Sequence, residues 1–264
     1  MSLLEITDLT VRFGAKTVLD QVNLTVEPGE RVGLIGESGS GKSLTALAAI
    51  GLLPDEAAAG GSVQVAGTEL LGLRDRDFTG IRGEQVAMVF QEPLSALNPL
   101  MRVGKQIAEP LRLHRGLSRS KALAEAIDLA RRVGLPDPAD TVRAYPHQLS
   151  GGQRQRVGIA MALACKPGLL IADEPTTALD VTVQAEILDL LGKLVADQGS
   201  ALLFITHDLA VLAKVVERVV VLSNGEVVET APLEDILHDP QHEYTRELLR
   251  VARAETFLPP EVTT

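Results

Sequence analysis

The stretch Gly36-Glu37-Ser38-Gly39-Ser40-Gly41-Lys42-Ser43 follows a short apolar run, Arg31 to Ile35, and opens a run from Lys42 to Leu53 that reads as a helix ended by Pro54. A strand that turns through glycines into a helix is the local plan of a phosphate-binding loop, G-x-x-x-x-G-K-[ST]. Gly36, Gly39 and Gly41 let the backbone curl, so that the N–H groups of the loop, those of Glu37, Ser38 and Ser40 included, point at phosphate oxygens. Lys42 then supplies a point charge toward the β- and γ-phosphates, and the Ser43 hydroxyl reaches Mg²⁺.

Working outward, two further stretches bear on the same anion. Leu169 to Asp173 is an apolar strand ending in a carboxylate, followed at once by Glu174. At a strand's C-terminal end Asp173 can hold the Mg²⁺ shell, and Glu174 is placed to take a proton from an attacking water. Leu149-Ser150-Gly151-Gly152-Gln153 is a glycine-bearing turn that opens a second helix, with its N–H groups and its serine facing outward for an anion. Two anion sites in one small domain demand an explanation.

The rest of the chain supplies the scaffold. Ile6, Leu9 and Val11, then Val22, Leu24 and Val26, have the near period-two spacing of half-buried antiparallel strands, and a further strand pair is expected from Ser62–Ala66 and Gln85–Phe90. From about Glu92 to Cys165 the pattern is helical, with Leu123, Ile127, Ala130 and Val133 expected on one face of a helix over Ser118–Val133. Leu169–Asp173 and Ala201–Thr206, separated by a helix over Val181–Val195, have the βαβ layout of parallel strands. Asn224-Gly225 is a two-residue hairpin signal, and a last helix is expected from about Glu243 to Ala252. The expected fold class is α/β: a mostly parallel sheet, an antiparallel β subdomain and a helical subdomain at about 92–165, all within one domain over 1–254, with a tail at 255–264.

Composition narrows the partners. The chain has 264 residues, 45% hydrophobic, enough for a sizeable core. A net charge of −10 without any run of Lys or Arg argues against nucleic acid. The single cysteine, Cys165, builds neither a disulfide framework nor a metal cluster alone. No stretch is apolar enough to span a bilayer and the N-terminus lacks a basic leader, so a cytoplasmic chain is expected, with membrane attachment left to partners.

With the phosphate loop, LSGGQ and LLIADEP in this order, the chain resembles the ATP-binding cassette (ABC) ATPases over nearly its whole length. The resemblance implies ATP and Mg²⁺ as ligands. Phe13 stands where the family places an aromatic that stacks on adenine, though a core phenylalanine in an edge strand is the other reading. Gln91 matches the Q-loop glutamine, which meets Mg²⁺ or water and the membrane partner. Ala178, Leu179 and Asp180 match the D-loop, and His207 the switch histidine at the γ-phosphate. Ser150, Gly151, Gly152 and Gln153 would close over an ATP held by a second cassette, so that two ATPs are sandwiched head to tail. That resolves the doubled anion site.

FQEPLSALNPLMRVGKQIAEPL (Phe90–Leu111), YPHQLSGGQRQRV (Tyr145–Val157), ADEPTTALDVTVQAEILDLL (Ala172–Leu191) and HEYTRELL (His242–Leu249) are similar to the peptide/nickel importer subfamily, most of all its dipeptide and oligopeptide ATPases. The implied setting is the cytoplasmic face of the cell membrane, with transmembrane permease subunits, a second ATPase subunit (a heterodimer before a homodimer), and indirectly an extracytoplasmic binding protein. A nickel or metal-chelate importer is the alternative. The chain has no cysteine after Cys165, so the C-terminal iron–sulfur cluster of some peptide importers is not expected, and Glu92 stands where Asp is common. Leu94, Leu97, Pro99 and Leu100 either dock a permease helix or pack the helical subdomain. Repair and chromosome ATPases insert a long coiled coil between the motifs, whereas about a hundred residues separate Lys42 from Ser150 here. An inactive cassette is disfavoured because Lys42, Gln91, Glu174 and His207 are all present.

Overall fold

The computed structural model describes residues 2–177 and 179–255. β1 (Leu4–Phe13) and β2 (Lys16–Val26) form the expected hairpin, with Ile6 opposite Leu24 and Leu9 opposite Val22. β3 (Arg31–Ile35) leads through the phosphate loop into α1 (Lys42–Ala49). That helix stops short of the expected Leu53. Gly51 takes a left-handed φ of 62° just past its end, at a place where a β-carbon would overlap the Phe78 ring. β4 (Ala57–Val65) and β5 (Thr68–Glu69) complete a four-stranded antiparallel sheet in the order β2-β1-β4-β5.

β6 (Val86–Val89) belongs to a different sheet, so the expected pairing of Ser62–Ala66 with Gln85–Phe90 does not occur. Alternation marks both segments as strands but carries no information about partners. Between β6 and the next strand every described regular element is helical: α2 (Pro93–Ala96), α3 (Val103–Arg115), α4 (Arg119–Arg132), α5 (Pro138–Thr141) and α6 (Gly151–Ala162). Ser118 caps α4, and of the expected face Ala130 and Val133 are buried and Ile127 packs half-buried against the core, whereas Leu123 is exposed and Ala122, Ala126 and Leu129 complete the buried face. Small side chains permit close helix contact there, so alanines took the inner face and the larger leucine turned outward.

The chain continues through β7 (Leu169–Asp173), α7 (Val181–Gln198), β8 (Ala201–Thr206), α8 (Leu209–Leu212), β9 (Arg218–Ser223), β10 (Glu226–Pro232), α9 (Leu233–His238) and α10 (Glu243–Glu255). Asn224 and Gly225 both adopt left-handed φ, 49° and 86°, in the two-residue turn between β9 and β10. All but the first residue of the expected tail, 256–264, lies outside the described residues.

The second sheet runs β10-β9-β3-β8-β7-β6. Its strands are parallel except β10, which lies antiparallel at one edge. Both faces are buried, and this explains the unbroken apolar runs. In β7, Leu169 and Ile171 pack with the antiparallel sheet and α1, whereas Leu170 and Ala172 pack with the helices.

Candidate active site

Four neighbouring parallel strands, β3, β8, β7 and β6, end on the same edge of the sheet. Just beyond those ends stand the phosphate loop, His207, Glu174 and Gln91 in turn. Ligands of open α/β sheets bind in such crevices at the carboxyl ends of strands. Here the crevice is a cavity of about 660 Å³ lined by loop residues from Gly36 to Ser43, by Gln91, Glu174 and His207, and by Val18.

The loop needs its glycines for two distinct reasons. A β-carbon at Gly36 would overlap the Leu222 carbonyl of β9, and Gly41 has φ 107° with Leu19 against its back. The Lys42 side chain is drawn inward, and its Nζ donates to the carbonyls of Gly36 (2.8 Å) and Glu37 (2.9 Å). Burial pulls the Lys42 pKa below its ordinary value, against the upward pull of Glu174, Asp173 and Glu37.

Ser43 donates to Asp173 Oδ1 at 3.2 Å. Asp173 is only 5% exposed, and burial pushes its pKa up more than Ser43 and Lys42 pull it down. One buried carboxylate and one hydroxyl make a hard-oxygen pair of the kind Mg²⁺ takes when substrate phosphates supply the remaining ligands. The Ser40 hydroxyl is buried in the same loop without a hydrogen-bond partner among the described residues.

Glu174 follows immediately and holds a left-handed backbone, φ 43°, costly for a residue other than glycine. Its N–H donates to the Ile205 carbonyl at 2.9 Å, so the neighbouring strand enforces the conformation. The side chain is gripped at both oxygens: Oε2 accepts from Gln91 Nε2 (3.1 Å) and Thr177 Oγ1 (2.9 Å), and Oε1 lies 3.1 Å from His207 Nδ1. Burial works to raise the Glu174 pKa, but the hydrogen bonds from His207 and Thr177, helped by the charges of His207 and Lys42, outweigh it and leave the pKa lowered. Glu174 is therefore an ionised carboxylate at neutral pH.

LSGGQ lies elsewhere. Ser150 caps α6 through a reciprocal pair: its Oγ accepts from Gln153 N (3.3 Å), and Gln153 Oε1 accepts from Ser150 N (3.0 Å). Gly152 is required by packing, because a β-carbon would sit 2.7 Å from Val183 of α7. None of Ser150, Gly151, Gly152 or Gln153 lines the cavity around Lys42. Asp180 caps α7 by accepting from Val183 N at 3.0 Å, and Ala178 lies outside the described residues.

Phe13 ends β1 opposite Lys16 and packs half-buried against the antiparallel sheet; Val18, not Phe13, lines the cavity. The group Leu94, Leu97, Pro99 and Leu100 divides: Leu97 is 3% exposed and packed in the core, Leu100 is 88% exposed, and Leu94 and Pro99 are exposed too. The helix expected near the C-terminus, α10, also belongs to the site, where no motif places it: its Glu247, Leu248 and Val251 form part of the cavity wall. The spacing of Tyr244, Leu248 and Val251, one helical stripe, was the available signal.

A phosphate loop on a central parallel strand, with Asp173 and Glu174 at the end of β7 one strand beyond its neighbour β8, defines a P-loop nucleotide hydrolase, and the capped LSGGQ helix narrows this to an ATP-binding cassette. A family model described as ABC transporter matches residues 19–177. The chain belongs to the ABC transporter family and carries its ATPase cassette. It is 50% identical over 253 residues to the peptidoglycan transport ATP-binding protein YejF of Agrobacterium fabrum, covering 94% of this chain but only 46% of that one. It is 47% identical to the oligopeptide transport ATP-binding protein OppD of Salmonella typhimurium, over 94% of this chain and 75% of the relative. With the dipeptide transport ATP-binding protein DppD of Escherichia coli it is 46% identical, over 95% and 78%. Among solved structures, a dimeric post-hydrolysis state of the ATP-binding cassette MJ0796 bound to ADP and Pi matches with TM-score 0.77 and 33% identity, over 87% of this chain and 98% of that one.

Proposed function

We propose that this chain is the ATP-binding and ATP-hydrolysing subunit of an importer that takes up di- or oligopeptides. One observation carries the catalytic part: the Glu174 carboxylate is held ionised between His207 and Gln91 on the wall of the Lys42 cavity. In this reading the loop amides of Gly36, Ser38, Gly39, Ser40 and Gly41, with Lys42, bind the β- and γ-phosphates of ATP, whereas the Glu37 N–H, expected to do the same, is already given to the Tyr244 hydroxyl. Glu174 accepts the proton of the water that attacks the γ-phosphate, while His207 and Gln91 fix the orientation of its carboxylate. Ser43 and Asp173, with Gln91 at their side, would hold Mg²⁺, which supplies charge neutralisation on the phosphate oxygens.

LSGGQ serves a second cassette in this account. Its position outside its own chain's cavity supports that, as does the dimeric state named for the MJ0796 structure. ATP then bridges two cassettes and ADP does not, so hydrolysis reopens the pair. The partners are a second ABC ATPase subunit, in a heterodimer by preference, and permease subunits at the cytoplasmic face of the membrane. No helix among the described residues is long and apolar enough to cross a membrane, so the permease must supply the passage in this reading. Leu94, Pro99 and Leu100, exposed in the segment that follows Gln91 in sequence, suit the permease contact.

The cargo assignment rests on the relatives' names, which specify peptides, oligopeptides and dipeptides, with peptidoglycan for YejF and nickel for none of those cited, and this favours peptide over nickel. Deleting the gene in its own host should abolish uptake of a labelled di- or oligopeptide while nickel uptake stays normal. Lost nickel uptake with peptide uptake intact would overturn it.

A further inference from the structure

We infer that Tyr244, more than two hundred residues from the phosphate loop in sequence, is a positioning residue for that loop. The inference rests on the ATP-site reading above. The Glu37 N–H donates to the Tyr244 hydroxyl at 2.9 Å. The same residue's carbonyl accepts from Lys42 Nζ at 2.9 Å. Glu37 is thus a link with Tyr244 on one side and the Lys42 ammonium on the other. Loop amides are strong donors that need partners when shielded from water, and a phosphate satisfies them only when nucleotide is bound. The tyrosine hydroxyl satisfies this one permanently, so the first turn of the loop keeps its shape whether the site is full or empty. The saving is conformational: a loop ordered beforehand loses less freedom on binding.

Tyr244 can do this because α10 is itself anchored without the loop. Glu229 of β10 accepts from Gln241 N (2.8 Å) and His242 N (3.0 Å), fixing the turn that enters the helix. Leu249 is buried in the core that the helices share with the sheet, and Arg253 Nη2 donates to the Leu237 carbonyl of α9 at 2.9 Å. Burial raises the phenol pKa, so the group stays a neutral O–H through the physiological range.

Tyr244→Phe tests this on the full-length chain, because it keeps the ring and its packing and removes only the oxygen. One neutral hydrogen bond corresponds to about a fivefold change in equilibrium. The Kd for MgATP and for MgADP should therefore rise by up to about fivefold with kcat at saturating ATP preserved, while the apo thermal midpoint falls by no more than the loss of that one bond, about 2–4 °C. Unchanged affinity overturns the inference, and so does weakened affinity accompanied by a fall of the apo midpoint well beyond the loss of one hydrogen bond. Lys42→Ala, measured alongside, separates the two claims. If Lys42→Ala abolishes MgATP binding and Tyr244→Phe does nothing, only the tyrosine's role fails; if Lys42→Ala binds normally, the site reading fails and takes this inference with it.

Discussion

His207 Nδ1 lies 3.1 Å from Glu174 Oε1, bridging residues that follow two adjacent parallel strands and are 33 positions apart in sequence. The contact does electrostatic work. It is the largest of the influences that draw the Glu174 pKa down against burial. Removing the imidazole in His207→Ala should therefore let that pKa rise. Since the ionised form is the base, the acidic limb of the kcat/KM profile should move to higher pH, and the rate at neutral pH should fall by about 10²-fold. A pH–rate series on the two proteins checks this.

Asp173 exerts the opposite pull on stability. Its folded pKa is raised, so the stability it contributes is fully present below its unfolded value near 3.8 and is lost as pH rises through the folded pKa. At neutral pH the buried charge is a cost, and in the proposed mechanism it is the anion that holds Mg²⁺ beside Ser43. Asp173→Asn should raise the apo stability by on the order of 1 kcal/mol, about 2–4 °C in a domain of this size, while weakening Mg²⁺-dependent nucleotide binding. Urea midpoints taken at falling pH should show the advantage shrinking.

Ser150→Arg separates cis from trans. Ser150 is exposed at the start of α6 and absent from the Lys42 cavity, so ATP should still bind with near wild-type affinity. A large cation at that exposed edge blocks the approach of a second cassette, and ATPase activity should drop to background. Equilibrium binding beside steady-state hydrolysis gives the answer; loss of binding itself would mean the serine serves its own chain's nucleotide.

The hairpin of β1 and β2, the run β3–loop–α1 and the acid-ended β7 were all legible in the sequence, because each is a local pattern in which periodicity and glycine placement determine the backbone. The partner of β6 was not. Its neighbour β7 arrives after five intervening helices, and an apolar run bears no mark of which strand will lie beside it. On α4 the expected Ile127, Ala130 and Val133 do face the core, but Leu123 does not: Ala122 and Ala126 take its place because alanine is weakly hydrophobic in a pattern yet favoured where helices approach closely. Lys42, Ser43, Asp173, Glu174 and His207 were named in advance because motif spacing carries their chemistry. Tyr244 escaped that reading: HEYTRELL stood out as a stretch, but nothing in it points to a loop near the other end of the chain.

The account stands most directly on Glu174. Glu174→Gln keeps the side-chain volume and the ability to accept from Thr177 while removing the base. Single-turnover hydrolysis of prebound MgATP should slow by about 10²–10⁴-fold with affinity for MgATP retained. Hydrolysis at the wild-type rate would contradict the assignment of Glu174 as the base.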